Sequence, residues 1–507
     1  MRLTHDQNDP VVTTDGGRLR GRWRSHTDAH GVSGSYATFR GVPFAAPPVG
    51  ALRFAAPAPA SGWDGLRDAG PYGPTPQRES PYDPPRIPEP SIPGDDVLSV
   101  NVATPDPSPA AGLPVLVWIH GGGFVGGSPA SPWYVGESFA RDGVVTATLS
   151  YRLGFEGFGW MEDAVHNRGV LDWLAGLAWI QRNIAAFGGD PSRVTIAGQS
   201  AGGAAVMRLL TLPAAQHLFA RAMAISPADA SVSADHARRA AGAVAGALGV
   251  APDTAGMSGV DELTIFRALG AAQRDPGDPI TGLLTRSAEP LPFAPVVDGD
   301  LVPHTVTDGI LAGVGADRPL LIGSTAHEFN EALAGAAAAR PGADAFELLR
   351  EAGAGDDLAA AMAAREPERG PDWAIGQVLT DAIFRAPTAG WASLRGDGPT
   401  WAYDFRWESR SDAAQGAAHC VDVPFGFDIL GAEGVRDAVG EDPPQALADA
   451  VHGDWLALVR DGTVDAPRHA LDHATIVYGA DGRRRTSAAY GVERRVWSEG
   501  LGRPLPA

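Results

Sequence analysis

A serine framed by glycines, Gly198-Gln199-Ser200-Ala201-Gly202, stands where the β-branched run Val194 to Ile196 meets a stretch of small residues suited to open a helix. A serine on such a strand-to-helix turn presents its oxygen as a nucleophile, and glycine is needed on either side because a Cβ would collide with the turn. In a chain with 64 glycines that pattern alone is weak, so its surroundings must decide. Upstream, the apolar run Leu113 to Ile119 leads directly into His120-Gly121-Gly122-Gly123-Phe124. Glycines after a strand expose backbone N–H groups, and an acyl-transfer enzyme needs such donors for the negative oxygen of its tetrahedral intermediate. Gly122, Gly123 and the N–H of Ala201 are the expected donors.

These motifs sit within a wider resemblance. Residues Phe39 to Gly50, with Arg53 and Phe54, resemble the F-x-G-I-P-Y-A-x-P-P-x-G-x-x-R-F signature of the type B carboxylesterases, the esterase and cholinesterase branch of the α/β-hydrolases. Asp95 to Val102 is similar to E-D-C-L-x-L-N-V, Ser150 to Phe158 to N-Y-R-L-G-x-x-G-F, and Asn183 to Pro191 to N-I-x-x-F-G-G-D-P. The chain is identified as similar to the bacterial, para-nitrobenzyl-esterase-like members of that family. The resemblance implies an α/β-hydrolase fold, a large and mostly parallel sheet flanked by helices, with helical cap insertions expected at 226–290 and 333–400. It implies hydrolysis of neutral, fairly hydrophobic carboxylic esters through an acyl-enzyme, without a cofactor or metal. Hydrolysis of a carbamate, amide or lactone by the same residues remains an alternative, as does, more remotely, a non-catalytic binding module of this fold.

A serine hydroxyl cannot attack an ester unaided; a neutral imidazole must take its proton and a carboxylate must orient that imidazole. Thirteen histidines are present, and position alone does not choose among them. The segment Ala417 to Phe427 resembles the family's G-x-x-H-x-x-E-L-P-F-x-F-G, which places the base at His419 and puts Asp422 where glutamate is usual. Leu321 to Phe329 resembles G-T-x-x-x-E-G, which places the acid at Glu328, with Asp298 and Glu331 as fallbacks. An imidazole base predicts activity rising with pH through about 6 to 7. Ser226 matches a serine that supports the acid by hydrogen bonding in relatives, against a plain turn serine before proline. Gln199 replaces the family's glutamate, which removes a negative charge beside His419 and some attraction for cationic choline-type esters. Phe124, Trp160, Phe425 and Phe427 are candidates for the substrate pocket, with core packing as the alternative for each. Cys420 is either a small buried hydrophobe or a thiol that sensitises the site to inhibition.

Composition narrows the field further. All 40 basic residues are arginine, which excludes a Ser-Lys dyad, a pyridoxal Schiff base and a P-loop lysine. A net charge of −20 gives no electrostatic footprint for nucleic acid or an anionic membrane. The single cysteine cannot form an internal disulfide, and Val97 stands where secreted relatives place a paired one. With no apolar leader near the N-terminus and no 18-residue apolar run, a cytoplasmic protein without membrane contact is expected, monomeric or weakly homo-oligomeric, whose partner is a small-molecule ester.

The family signatures interlock from residue 39 to beyond 420, so 1–507 is read as one α/β domain. Short apolar runs predict strands at 115–119, 144–149, 194–197, 219–225, 319–322 and 401–405. Periodicity predicts helices at 168–186, 203–211, 235–248 and 444–460. The Pro-rich stretch from Pro71 to Pro93 is expected to be a surface loop, either at the rim of the site or a mere connector.

Overall fold

The computed structural model describes residues 9–76, 86–272, 291–333, 344–351, 354–411, 414–470 and 472–499. An eleven-stranded sheet runs through it. Its strands are β1 (Arg22–Thr27), β2 (Ser33–Pro43), β3 (Ser99–Thr104), β4 (Leu113–Ile119), β5 (Val145–Leu149), β6 (Gly189–Gln199), β7 (Arg221–Ile225), β8 (Leu320–Thr325), β9 (Thr400–Phe405), β10 (Thr475–Gly479) and β11 (Gly482–Thr486). They lie in the order β1-β2-β3-β5-β4-β6-β7-β8-β9-β10-β11. From β5 across to β10 every neighbouring pair is parallel, and the remaining pairs at both edges are antiparallel. This is the α/β-hydrolase architecture expected from the sequence.

Strand β4 shows why the centre of the sheet reads as an unbroken apolar run. Val115, Val117 and Ile119 enter one core with Val194 and Ile196, whereas Leu116 and Trp118 enter another with Met223 and Ile225. Side chains alternate between faces at period two, and helices cover both faces, so no position is left for a polar residue. The covering helices are α1 (Arg168–Asn183), α2 (Ala201–Leu210), α3 (Ala234–Leu248), α4 (Glu262–Ala272), α5 (Pro371–Thr380), α6 (Ala386–Leu394) and α7 (Gln445–Asp461). α1 buries Val170, Trp173, Leu177 and Ile180 at helical spacing, and α7 buries Leu447, Val451, Trp455 and Leu458 in the same manner.

The strands expected from apolar runs are present, with β6 extending further, back to Gly189. β1 and β11 are edge strands whose sequences, RWRSHT and GRRRT, carry charge where an apolar run was sought. α3 and α4 lie within the 226–290 stretch, and α5 and α6 within 333–400; residues 273–290, 334–343 and 352–353 of those stretches lie outside the described residues. So do residues 77–85 of the Pro-rich segment, whose later part is anchored by the buried Ile87 and by Ser128 Oγ donating to Pro90 O at 2.7 Å.

A buried arginine ties the C-terminal half of the sheet together. A π turn, Asp381–Arg385, links α5 to α6 and aims Arg385 beneath the loop that follows β8. There it pairs with Asp404 at 2.8 Å and Glu493 at 2.6 Å, and its Nη1 donates to Thr325 O at 2.9 Å. Burial pushes the Asp404 carboxyl up, but Arg385 and Arg406 outweigh it and hold the pKa below the ordinary value. Arg385→Met would strip a partner from two buried carboxylates, and a loss of about 3–5 kcal/mol of stability is expected in chemical denaturation.

Candidate functional site

Ser200 occupies a turn no relaxed chain would choose. It sits between β6 and α2 at φ 59° and ψ −123°, outside the ordinary regions for a residue with a side chain. Close packing enforces the turn: a Cβ on Gly202 would come within 2.0 Å of Ile119 O, and one on Gly198 within 2.5 Å of the Gly202 backbone. The two glycines therefore let β4, β6 and α2 meet at one point, and Ser200 is left half-buried at its tip.

The glycine loop passes over that tip. Gly122 and Gly123 have φ of 104° and 62°, and Gly122 O accepts from both Val125 N and Gly126 N, which closes the loop into a tight turn. Among the described residues, the N–H groups of Gly122, Gly123 and Ala201 have no protein acceptor. Three free donors near one serine, one of them at the first position of a ten-residue helix, form a place for negative charge.

Glu328 and His419 come together from loops after β8 and β9. Glu328 is fully buried; its Oε1 accepts from Thr325 N at 2.8 Å, and its Oε2 accepts the Nδ1 hydrogen of His419 in a short contact. The two loops are also joined through their backbones, His419 N to Glu328 O at 3.0 Å and His327 N to Ala417 O at 2.9 Å. Burial pushes the His419 pKa down, but the Cys420 sulfur and the Glu328 carboxylate push it further up, so it lies above the ordinary imidazole value. The rings of Phe329 and Phe384 flank the imidazole at 5.0 and 4.8 Å. On its far side, His419 Nε2 meets the Gln199 amide, Nε2 to Nε2 at 3.1 Å. A Cβ on Gly121 would lie 3.1 Å from both Gln199 Oε1 and Ser200 Cβ, so imidazole, serine and glycine loop share one neighbourhood. Among the described residues Ser200 Oγ makes no hydrogen bond to His419.

Several expectations need correction. Ser226 Oγ is buried without a hydrogen-bond partner among the described residues, and the Thr325 amide supports Glu328 in its place. Phe124 is fully buried against Phe158 and Trp173, so it wedges the glycine loop into the core instead of facing a substrate. Trp160 stacks on His166 at 3.6 Å and donates to Glu162. Phe425 packs on Trp407 and Phe405, and Phe427 on Trp118 and Phe139, all inside the second core. Of the fallback acids, Asp298 caps its own turn and accepts from Asn167, and Glu331 pairs with Arg86 at 2.7 Å. Arg86 also donates to His419 O at 3.4 Å, so the Pro-rich segment touches the site instead of merely connecting strands.

Asp422 is fully buried, accepts from Tyr403 OH at 2.8 Å, and is pushed up to about 7 by burial and by the Glu328 charge. Residues that the sequence did not single out, Phe329, Phe384, Thr325 and Arg86, complete the surroundings of His419. Phe329 adjoins Glu328 in sequence, whereas Phe384 arrives from a π turn with no local signal.

Comparison with known proteins agrees with this geometry. The Carboxylesterase family model matches residues 8–463. The para-nitrobenzyl esterase of Bacillus subtilis is 32% identical over 479 residues, 91% of this chain and 91% of that protein. The phenmedipham hydrolase of Pseudarthrobacter oxydans is 33% identical over 497 residues, covering 90% of this chain and 95% of its own. A solved PNB esterase superposes with a TM-score of 0.80 at 29% identity, over 96% of this chain and 99% of that one. A Geobacillus stearothermophilus carboxylesterase gives 0.78 at 30% over the same shares.

Because the Ser226 hydroxyl is unpartnered, Ser226→Ala is expected to change kcat/KM by no more than about threefold, since removing an unsatisfied buried polar group is near neutral. Steady-state kinetics beside a thermal melt would check it. The chain belongs to the carboxylesterase family and is a carboxylic ester hydrolase.

Proposed function

We propose that the chain hydrolyses neutral, fairly hydrophobic carboxylic esters, with Ser200 as nucleophile, His419 as base, Glu328 as acid, and the N–H groups of Gly122, Gly123 and Ala201 as the oxyanion hole. The observation that carries this reading is the buried Glu328–His419 pair, whose far nitrogen meets Gln199 next to the strained Ser200, together with three amides left without a protein acceptor among the described residues. Ser200 attacks the ester carbonyl as His419 Nε2 takes its proton. The oxygen that becomes negative gains hydrogen bonds from the three amides, each worth about 2.7–4 kcal/mol of transition-state stabilisation. His419 then gives the proton to the departing alkoxide, leaving an acyl group on Ser200. Water repeats the steps in reverse and releases the acid.

Apolar ester preference is supported by Phe329 and Phe384 beside the imidazole. The helical stretches within 226–290 and 333–400 are proposed as the insertions that cover the site. A cytoplasmic location, in a monomer or weak homo-oligomer, accords with the one cysteine, buried Cys420. No helix among the described residues is long and apolar enough to cross a membrane.

Ser200→Ala is expected to lower kcat by roughly 10⁴-fold or more with the fold intact, and to abolish labelling by a fluorophosphonate probe. Retained turnover on p-nitrophenyl esters would move the nucleophile elsewhere. The base works only when neutral, so a raised imidazole pKa moves the acid limb upward. The kcat/KM profile should rise with pH through a midpoint above the ordinary histidine value, instead of through about 6 to 7. A profile flat from pH 5 to 8 would remove His419 from this role.

A further inference from the structure

The Gln199 carboxamide spans from the glycine loop to the imidazole. Its oxygen lies against Gly121, which has no side chain to displace it, and its nitrogen reaches His419 Nε2 at 3.1 Å in buried surroundings. With Nδ1 committed to Glu328, neutral His419 has one lone pair left, at Nε2, and the Gln199 N–H points at it. That lone pair is the one that must take the Ser200 proton.

We propose that Gln199 is a positioning residue that holds the proton-accepting nitrogen of His419 in the empty site and yields it to Ser200 when an ester enters. This rests on the assignment of Ser200 and His419 as nucleophile and base. Exchange of one neutral hydrogen bond for another is nearly balanced, so the latch opens readily. After proton transfer the amide can turn and offer Oε1 to the new Nε2–H, because a carboxamide carries both a donor and an acceptor. A glutamate here could only accept, so it has no donor for the neutral Nε2 and favours the imidazolium more than the carboxamide does.

The other groups around the imidazole do not change with residue 199. Glu328 faces it from the loop after β8, and Cys420 and Asp422 lie on its own loop. Arg86, already paired with Glu331, reaches only the His419 carbonyl, and the rings of Phe329 and Phe384 carry no charge. Substitution at Gln199 therefore changes only what its carboxamide touches, the imidazole nitrogen and the Gly121 backbone, and only the first of these titrates.

The test compares wild type, Gln199→Met and Gln199→Glu, each checked for folding by circular dichroism. The pH dependence of kcat/KM for p-nitrophenyl butyrate is measured, and the peptide labelled by a fluorophosphonate is identified by mass spectrometry. The methionine variant loses the donor and should raise the acid-limb midpoint by about half a pH unit, and the glutamate variant should raise it by about one unit or more. A methionine midpoint equal to wild type, or a glutamate midpoint no higher than that of methionine, overturns the proposal, even if the plateau activity falls. Label found away from Ser200 would instead sink the underlying assignment of the nucleophile.

Discussion

The arrangement depends on one buried pair, the Glu328 carboxylate against the His419 imidazole. A carboxylate in a dry interior is costly unless its charge is shared, and Glu328 shares it twice, with the Thr325 amide and with the ring. Everything near the pair keeps it from separating. Backbone hydrogen bonds zip the two loops together, Arg385 grips Thr325 O from below, and two phenylalanines close over the ring. The proposed role of His419 as base needs orientation more than strength, and this surrounding supplies it.

Strain at Ser200 is borne by a different device. The elbow exists because β4, β6 and α2 approach more closely than side chains permit, as the contacts of Gly198 and Gly202 with the Ile119 carbonyl indicate. The same Ile119 leads into the glycine loop, so the proposed nucleophile and the amide donors are fixed to a single point of the sheet. A change that relaxed the elbow would also shift the donors.

How far this could be read from residues alone follows from physical range. The elbow, the glycine loop and the central strands announce themselves locally, since a turn with φ above zero demands glycine and a doubly covered strand must be apolar. Glu328 and His419 were legible only through resemblance, because nothing in either segment says that the other lies against it. For Ser226 and the four aromatics, the sequence left a role at the site and plain packing both open, for one reason. Sequence tells that a large ring or a hydroxyl is near the site, whereas its side chain's direction depends on packing from distant segments, as with Phe427 turning to Trp118 and Trp455. Edge strands such as β11 were missed because their charge serves to discourage pairing, which hides the strand pattern.

Open volume is a poor guide to where chemistry happens here. A cavity of about 550 Å³ lies behind the acid loop, lined by His327, Glu366, Trp373, Arg365, Arg406 and Glu493 among others. Its charges are mutually satisfied: His327 accepts from Ala417 N and donates to Glu366, a contact that draws the Glu366 pKa down to about 2, while Arg365 pairs with Asp381 and Glu493 and Arg406 with Asp404. A transition state that develops negative charge has no use for donors already occupied. What distinguishes the neighbourhood of Ser200 is the reverse condition, amides left without acceptors and an imidazole nitrogen held only by a neutral amide. Unspent hydrogen-bonding capacity, fixed in place by a rigid sheet, points to the proposed site better than space does.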